Sequence, residues 1–266
     1  MREAWQHWSE LRVPEIERLP ASIFVRAERL PARHAFPEHR HAWNQLVHAI
    51  SGVLVVAADD RWFAVPPRQA VWIPTGTPHR VGTWLGAEFR SLYVADRPRL
   101  GMPSGCRVLD VSDLLRALIV EAERLSGQTD DPGYASRVRR LTLDQLRRMP
   151  AVRFHLPWPR SPMLDALCQV LYAHPADKRS IEEWGARLGA SPRTLSRRFI
   201  RETGLSPRAW RHRLRLFRAI ELLGAGRSVT ATALELGYAN TSAFSHMFRS
   251  EMAVSPGAWS RHEAVS

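Results

Sequence analysis

His39, His41, Trp43 and Gln45 recur at every second position of one short stretch, and six residues separate Gln45 from Gly52. A later run, Pro74-Thr75-Gly76-Thr77-Pro78-His79, supplies a third imidazole. Side chains of a strand alternate between faces, so the four odd positions would share one face, with His79 joining from a neighbouring strand. Three imidazoles and an amide oxygen form a donor set that could hold a divalent transition metal such as zinc, nickel or iron. The neutral amide of Gln45 is a weaker ligand than a carboxylate, which counts against tight binding. The same groups suit a second use: an inward polar set that hydrogen-bonds within itself and to a small effector, with Trp43 and Trp72 as apolar walls. Neither paired carboxylates nor a Ser/His/Asp constellation accompany them in this stretch, so the residues point away from hydrolytic and acid–base catalysis.

A second set of residues points to nucleic acid. Leu188-Gly189-Ala190-Ser191-Pro192-Arg193-Thr194-Leu195-Ser196-Arg197-Arg198-Phe199 is followed by Ser206-Pro207 and Trp210. Leu236-Gly237-Tyr238-Ala239-Asn240-Thr241-Ser242-Ala243-Phe244-Ser245-His246-Met247-Phe248 is followed by Ser255-Pro256 and Trp259. The offset between copies is 48 residues at Leu188/Leu236 and 49 from Leu195/Phe244 to Trp210/Trp259, so one extra residue has entered the second turn. Such repetition means two copies of one supersecondary unit, here helix, Gly turn, helix. Ser191 and Asn240 are N-cap residues, and Pro192 suits the first helical position. Leu195/Phe199 and Phe244/Phe248, each four apart, make a docking stripe. Arg193, Ser196 and Arg197 occupy another face, as do Thr241, Ser242 and His246. These side chains carry donors that can read base edges or hold phosphates.

The elements needed to position both sets are legible. Between the copies, Leu216, Phe217, Ile220 and Leu223 form a helical stripe with Arg211, Arg213, Arg215 and Arg218 around it, and Gly224 and Gly226 end the helix. A rigid helix there would let two reading helices enter successive major grooves, about 34 Å apart. From about Ile23 to Val94 short β-rich runs alternate with turns, including a hairpin of 53–56 and 62–65 around Asp59-Asp60, which predicts a small sandwich or barrel. Residues 111–126 form an amphipathic helix with Leu114, Leu115, Leu118, Ile119, Ala122 and Leu125 on one stripe. After a loop over 128–133, a second helix over 134–149 uses Val138, Leu141 and Leu146. Pro150, Pro157, Pro159 and Pro162 punctuate a stiff, extended linker.

Composition agrees. The 266 residues suit two domains, and the formal net charge of +12 suits an anionic partner. Residues 160–266 hold 16 Lys+Arg and 9 Asp+Glu, a net +7 on the repeat-bearing part. Lys178 is the sole lysine, so part of the arginine excess is a matter of overall composition. Two cysteines, Cys106 and Cys168, do not make a disulfide framework and fit a reducing cytoplasm. No apolar run reaches membrane-span length, and the N-terminus lacks a signal-peptide core.

Residues 163–262 resemble the DNA-binding domain of AraC/XylS-type bacterial transcription regulators. The resemblance rests on Gly204-x-Ser206-Pro207 and Arg197 in the first copy, and on Leu236-Gly237-Tyr238 with Ser242-Ala243-Phe244-Ser245-His246-Met247-Phe248 in the second. His246 stands where the family usually has Arg, and Ala253 where it usually has Gly; both suggest weaker or differently selective contacts from the second copy. The stretches around His39–Gly52 and Pro74–His79 resemble the two cupin motifs, His-x-His-x3-Glu-x6-Gly and Pro-x-Gly-x2-His. Gln45 replaces the glutamate, and the leading Gly of the second motif is missing. The joint resemblance implies an α+β chain: a cupin-like β-barrel for effector sensing over 1–109, a helical dimerisation segment over 110–149, a linker over 150–162, and an all-α domain with two helix-turn-helix motifs over 163–266. It implies a cytoplasmic regulator, not an enzyme, that binds double-stranded DNA through Arg193, Ser196, Arg197, Thr241, Ser242 and His246. Its other implied partners are a small-molecule effector, a second copy of the chain and, for an activator, RNA polymerase. The competing class is a metal-dependent cupin enzyme with an accessory nucleic-acid domain; Gln45 in place of glutamate argues against it.

Overall fold

The computed structural model describes residues 8–97, 101–126, 131–152 and 155–264. The N-terminal residues 1–7, covered by the expectation of no signal-peptide core, and residues 128–130 of the expected loop lie outside the described residues. The strands are β1 (Ser9–Glu10), β2 (Ile23–Leu30), β3 (His34–His39), β4 (Trp43–Gly52), β5 (Leu54–Ala58), β6 (Arg61–Val65), β7 (Gln69–Ile73), β8 (His79–Thr83), β9 (Ala87–Ala95), β10 (Arg107–Asp110), β11 (Ala151–Val152) and β12 (Leu156–Pro157). The helices are α1 (Asp113–Arg124), α2 (Pro132–Arg148), α3 (Pro162–Ala173), α4 (Ile181–Leu188), α5 (Pro192–Thr203), α6 (Pro207–Gly224), α7 (Val229–Glu235), α8 (Thr241–Met252) and α9 (Pro256–Ala264). The chain forms two compact units, one of residues 9–59 and 65–154, the other drawing on residues 60–64 and 155–265. The architecture is α+β, sheet-rich in the N-terminal half and helical in the C-terminal half.

In the first unit one sheet runs β1-β3-β8-β5 and a second runs β11-β10-β7-β4-β9-β2. The turn after β5 uses Asp59 and Asp60 with φ of 50° and 55°, the two left-handed residues that a type I′ turn requires. Gly52, the end of the first motif, has φ 71°, and a Cβ there would lie 2.2 Å from the Gly86 carbonyl oxygen, so no side chain fits. β4 is buried on both faces. Its even-numbered Leu46 joins Trp72, Leu92 and Val94 in one apolar cluster with Leu115 and Ile119 of α1 and Ala135 and Leu146 of α2. Burying each large side chain contributes about 1.5–3 kcal/mol, which fastens both helices to the sheet.

Two expectations, on Trp72 and Arg218, need correction here. Trp72 is not a wall of the polar pocket. It pairs in register with Leu46 while Gln45 pairs with Ile73, so it faces the helices, and its indole donates to the Pro103 carbonyl at 2.8 Å. Leu114 and Leu141, on the apolar stripes of their helices, are 49% and 42% exposed, so part of each stripe is left uncovered. Arg218, read as peripheral to α6, is buried and paired with Glu221 at 2.6 Å, with the Tyr172 hydroxyl donating to the same carboxylate.

The second unit repeats itself as its sequence does. Ser191 and Asn240 accept from the backbone amides of Thr194 and Ala243 to cap α5 and α8. Phe199 meets Trp210 at 5.7 Å and Phe248 meets Trp259 at 6.1 Å, both edge to face. Each recognition helix ends in a left-handed residue, Gly204 with φ 72° and Ala253 with φ 59°. Ala253 therefore bears on helix termination rather than on DNA contact: an exposed alanine there costs about 1 kcal/mol relative to glycine. The second half of the proline-punctuated segment, from residue 155, is packed. Leu156 pairs with Trp62, and Trp158, 1% exposed, stacks on Trp62 at 4.0 Å.

Candidate functional site

The reader is built on α5 and α8. Leu195 and Phe199 anchor α5, Phe244 and Phe248 anchor α8, and all four are buried. That leaves Arg193 and Arg197 exposed with Ser196 half-buried beside them, and Ser242 and His246 exposed with Thr241 half-buried. Neither Arg193 nor Arg197 has an ion-pair or hydrogen-bond partner among the described residues, so both guanidinium groups are free to meet a base edge or a phosphate. Ile200, 50% exposed, lies seven residues after Arg193 and three after Arg197, hence on the same stripe. The sequence reading passed over it. An exposed apolar side chain there can meet a thymine methyl group. α6, with 18 residues, spans about 27 Å and joins the two copies.

The second site lies in the sheet-rich unit. His39 ends β3 and faces His79, the first residue of β8, across the strand pair. His41 is in the turn between β3 and β4, so the expectation of one unbroken strand carrying all four residues is corrected: only Trp43 and Gln45 lie on β4. The groups still converge. One ligand atom from each of His39, His41 and His79 lies within 4.8 Å of the other two. His39 Nδ1 donates to the Pro37 carbonyl and His79 Nδ1 to the Thr77 carbonyl, both at 2.9 Å, which leaves each Nε2 bare. His41 lies 2.7 Å from the Trp43 carbonyl through Nδ1 and 3.0 Å from the Gln45 amide through Nε2, and Gln45 donates in turn to Ser91. The motif glycine Gly76, φ 72°, donates its amide to the His41 carbonyl and so docks the second motif against the first. Burial pushes the His39 imidazole below its usual pKa. Burial and the neighbouring His39 take His79 down to about 3. Both are therefore neutral at pH 7, the form that a metal or a hydrogen-bonding ligand needs.

Around this cluster the aromatic residues are ordered. Trp43 stacks on His41 at 5.1 Å, and Tyr93, absent from the sequence reading, meets both edge on at 5.9 and 5.7 Å. Tyr93 is the register partner of Gln45 on β9, a pairing 48 residues away in the chain. Trp43 also lines a cavity of about 530 Å³ flanked by Arg18 and Arg97 and by Glu17 and Asp96. Its buried indole N–H has no hydrogen-bond partner among the described residues.

The family described as helix-turn-helix domain matches residues 184–262, and the family described as cupin domain matches residues 27–91. The HTH-type transcriptional regulator NimR of Escherichia coli (strain K12) is 32% identical over 222 residues, covering 83% of this chain and 81% of NimR. The HTH-type transcriptional activator RhaS of Escherichia coli O6:H1 is 34% identical over 157 residues, covering 58% of this chain and 56% of RhaS. Among solved structures, ToxT from Vibrio cholerae aligns over 90% of this chain and 98% of its own at 10% identity, with a TM-score of 0.38. With a capped, repeated reader at one end, a histidine-bearing cupin barrel at the other and a relative alike over most of both lengths, the chain belongs to the AraC/XylS-type family of helix-turn-helix transcriptional regulators.

Proposed function

We propose that the barrel senses a small molecule seated beside Trp43 and the three-histidine cluster, and that its occupancy biases how α5 and α8 engage an operator. The observation that carries the reading is the pairing of two features. Two capped helices present unpaired arginines and hydroxyls outward, and a separate unit holds three clustered imidazoles next to Trp43, whose unsatisfied indole N–H belongs to a ring that lines a cavity. A ligand shifts such a protein only by binding its arrangements unequally, which the coupling between units supplies. A regulator rather than an enzyme fits the donor set, since Gln45 is anchored to His41 and Ser91 and no carboxylate among the described residues joins the cluster.

The donor set also fits a divalent transition metal. The Nδ1–H groups of His39 and His79 are committed to backbone carbonyls, which fixes the tautomer as a ligating histidine needs. The His79 Nε2 is buried with no hydrogen-bond partner among the described residues. His39, His41 and His79 would hold the ion, the Trp43 carbonyl orienting His41 through Nδ1 while its Nε2 exchanges Gln45 for the metal. A bound ion would give the pocket a Lewis-acidic point that attracts an anionic or carbonyl-bearing effector. Four apolar side chains exposed on α1 and α2, Leu114, Val120, Tyr134 and Leu141, are the surface we assign to a second copy of the chain. RNA polymerase is a further partner if the regulator activates, and no described helix is long and apolar enough to cross a membrane.

Titration of the metal-free chain with Zn²⁺ or Ni²⁺ tests the sensor assignment. The wild type is expected to take up about one equivalent and to melt at higher temperature with metal present, as linkage requires. His41→Ala and His79→Ala should lose both effects. Equal uptake by the three proteins would remove the cluster from the metal site.

A further inference from the structure

A cavity of about 580 Å³, the size of a small-molecule site, lies inside the reader itself. Both copies of the repeat line it, Trp184 and Phe199 from the first, Tyr238 and Met247 from the second. Its apolar wall is deeply packed, with Trp184, Phe199 and Met247 each more than nine-tenths buried. The Trp184 indole N–H has no hydrogen-bond partner among the described residues. α6 also lines it, presenting Arg208, Arg211, His212 and Arg215 at helical spacing on one face.

Carboxylates meet two of these four side chains and leave Arg208 and Arg215 without an acidic partner among the described residues. Arg211 reaches Asp177 at 3.9 Å and donates to the Arg179 carbonyl, and His212 meets Glu251 at 3.0 Å. Arg215 donates to a backbone carbonyl, that of Pro175, and lies over the Tyr238 ring. Arg208 is exposed and has no partner among the described residues. Burial, and then the charge of Arg215, lowers the pKa of the Arg211 guanidinium, as an excess of positive charge would. DNA phosphate would match the cations but not the aromatic wall. An apolar wall of rings together with a row of guanidinium groups matches an organic anion with a flat apolar body.

We propose that this cavity binds an aromatic carboxylate, its ring against Trp184, Phe199 and Tyr238 and its carboxylate on Arg208 and Arg215. An occupant would touch the inner face of both reading helices, through Phe199 and Met247. Any preference it has for one arrangement of the two copies is, by linkage, a change in operator affinity. The site is separate from the barrel, so it stands or falls independently of the sensor assigned there.

Biphenyl-4-carboxylate is the probe, titrated calorimetrically into the full chain, with biphenyl-4-carboxamide as its uncharged counterpart. Saturable binding of one carboxylate per chain is expected, with the amide at least tenfold weaker, a difference of about 1.4 kcal/mol. Arg208→Glu should weaken the carboxylate at least tenfold with an unchanged circular dichroism spectrum, since the Arg208 side chain is exposed and has no hydrogen-bond or ion-pair partner among the described residues. Arg215→Gln should weaken it as well. Absence of saturable binding to the wild type, equal affinity for the amide, or wild-type affinity in Arg208→Glu would each overturn the proposal.

Discussion

Replacing Arg193 and Arg197 together by alanine should weaken binding to a matched operator by on the order of 2–6 kcal/mol, roughly 30-fold to above 10⁴-fold. Both side chains are exposed, lack partners among the described residues and share one face of α5, so the loss falls on DNA contact rather than on folding. A guanidinium that grips a guanine edge through two donors gives sequence discrimination as well as affinity. The ratio of matched to mismatched binding should therefore fall too, as a gel-shift comparison at fixed salt would show. Substituting Thr241, Ser242 and His246 together should cost less. Hydroxyls and one imidazole offer fewer donors than two guanidinium groups and no fixed charge. A larger loss from the α8 triple variant would make the second copy the stronger reader. Unchanged affinity in the double arginine variant would remove α5 from that role.

Acidification should destabilise the sheet-rich unit by on the order of 3 kcal/mol between pH 6.5 and about 4, through His48 alone. His48 is fully buried on β4. Its Nδ1 donates to the Gln69 carbonyl at 3.1 Å, and its Nε2 has no partner among the described residues. Burial, with the Arg116 and Arg90 charges adding to it, lowers its pKa to about 4. The unfolded imidazole takes up its proton near pH 6.5 and the folded one only near 4, so across that window the unfolded chain binds more protons. Stability therefore falls as pH falls, by about 1.4 kcal/mol per pH unit, and does not depend on this group above 6.5. Urea unfolding at pH 7, 5.5 and 4.5 should show at least this slope in the wild type, since His79 adds to it, and a slope shallower by about 1.4 kcal/mol per pH unit in His48→Gln. Identical slopes would sink the assignment.

The parts of the molecule that could be read from sequence are those fixed by local chemistry. Ser191-Pro192 and Asn240 announce helix starts, and the four-residue spacing of Leu195/Phe199 and Phe244/Phe248 announces the buried stripe; the observed caps and burial follow directly. The two cupin motifs identified their histidines, but alternation along a strand misplaced two of them, because His39 ends β3 and His41 sits in the turn that follows. Trp72 failed for a related reason. β7 is apolar on both faces, so pattern alone does not say which face meets the helices, and a shift of one residue exchanges them. Tyr93, Ser91 and His48 acquire their roles from pairings tens of residues distant, which local periodicity does not encode. Arg218 looks like any other arginine of α6 until Glu221 and Tyr172 are seen to enclose it. Leu114 and Leu141 fit the helical period yet remain exposed, because the period marks an apolar stripe and not what covers it.

That this chain reads DNA with two helices held at a fixed separation by α6 is tested most directly by hydroxyl-radical footprinting. The purified full chain would be bound to sites selected from random duplexes. Two protected segments on one face of the duplex are expected, their centres one helical turn or about 10–10.5 base pairs apart, with the stronger base preference in the segment read by α5. A single protected segment per chain, or two segments whose spacing varies freely among selected sites, would contradict it.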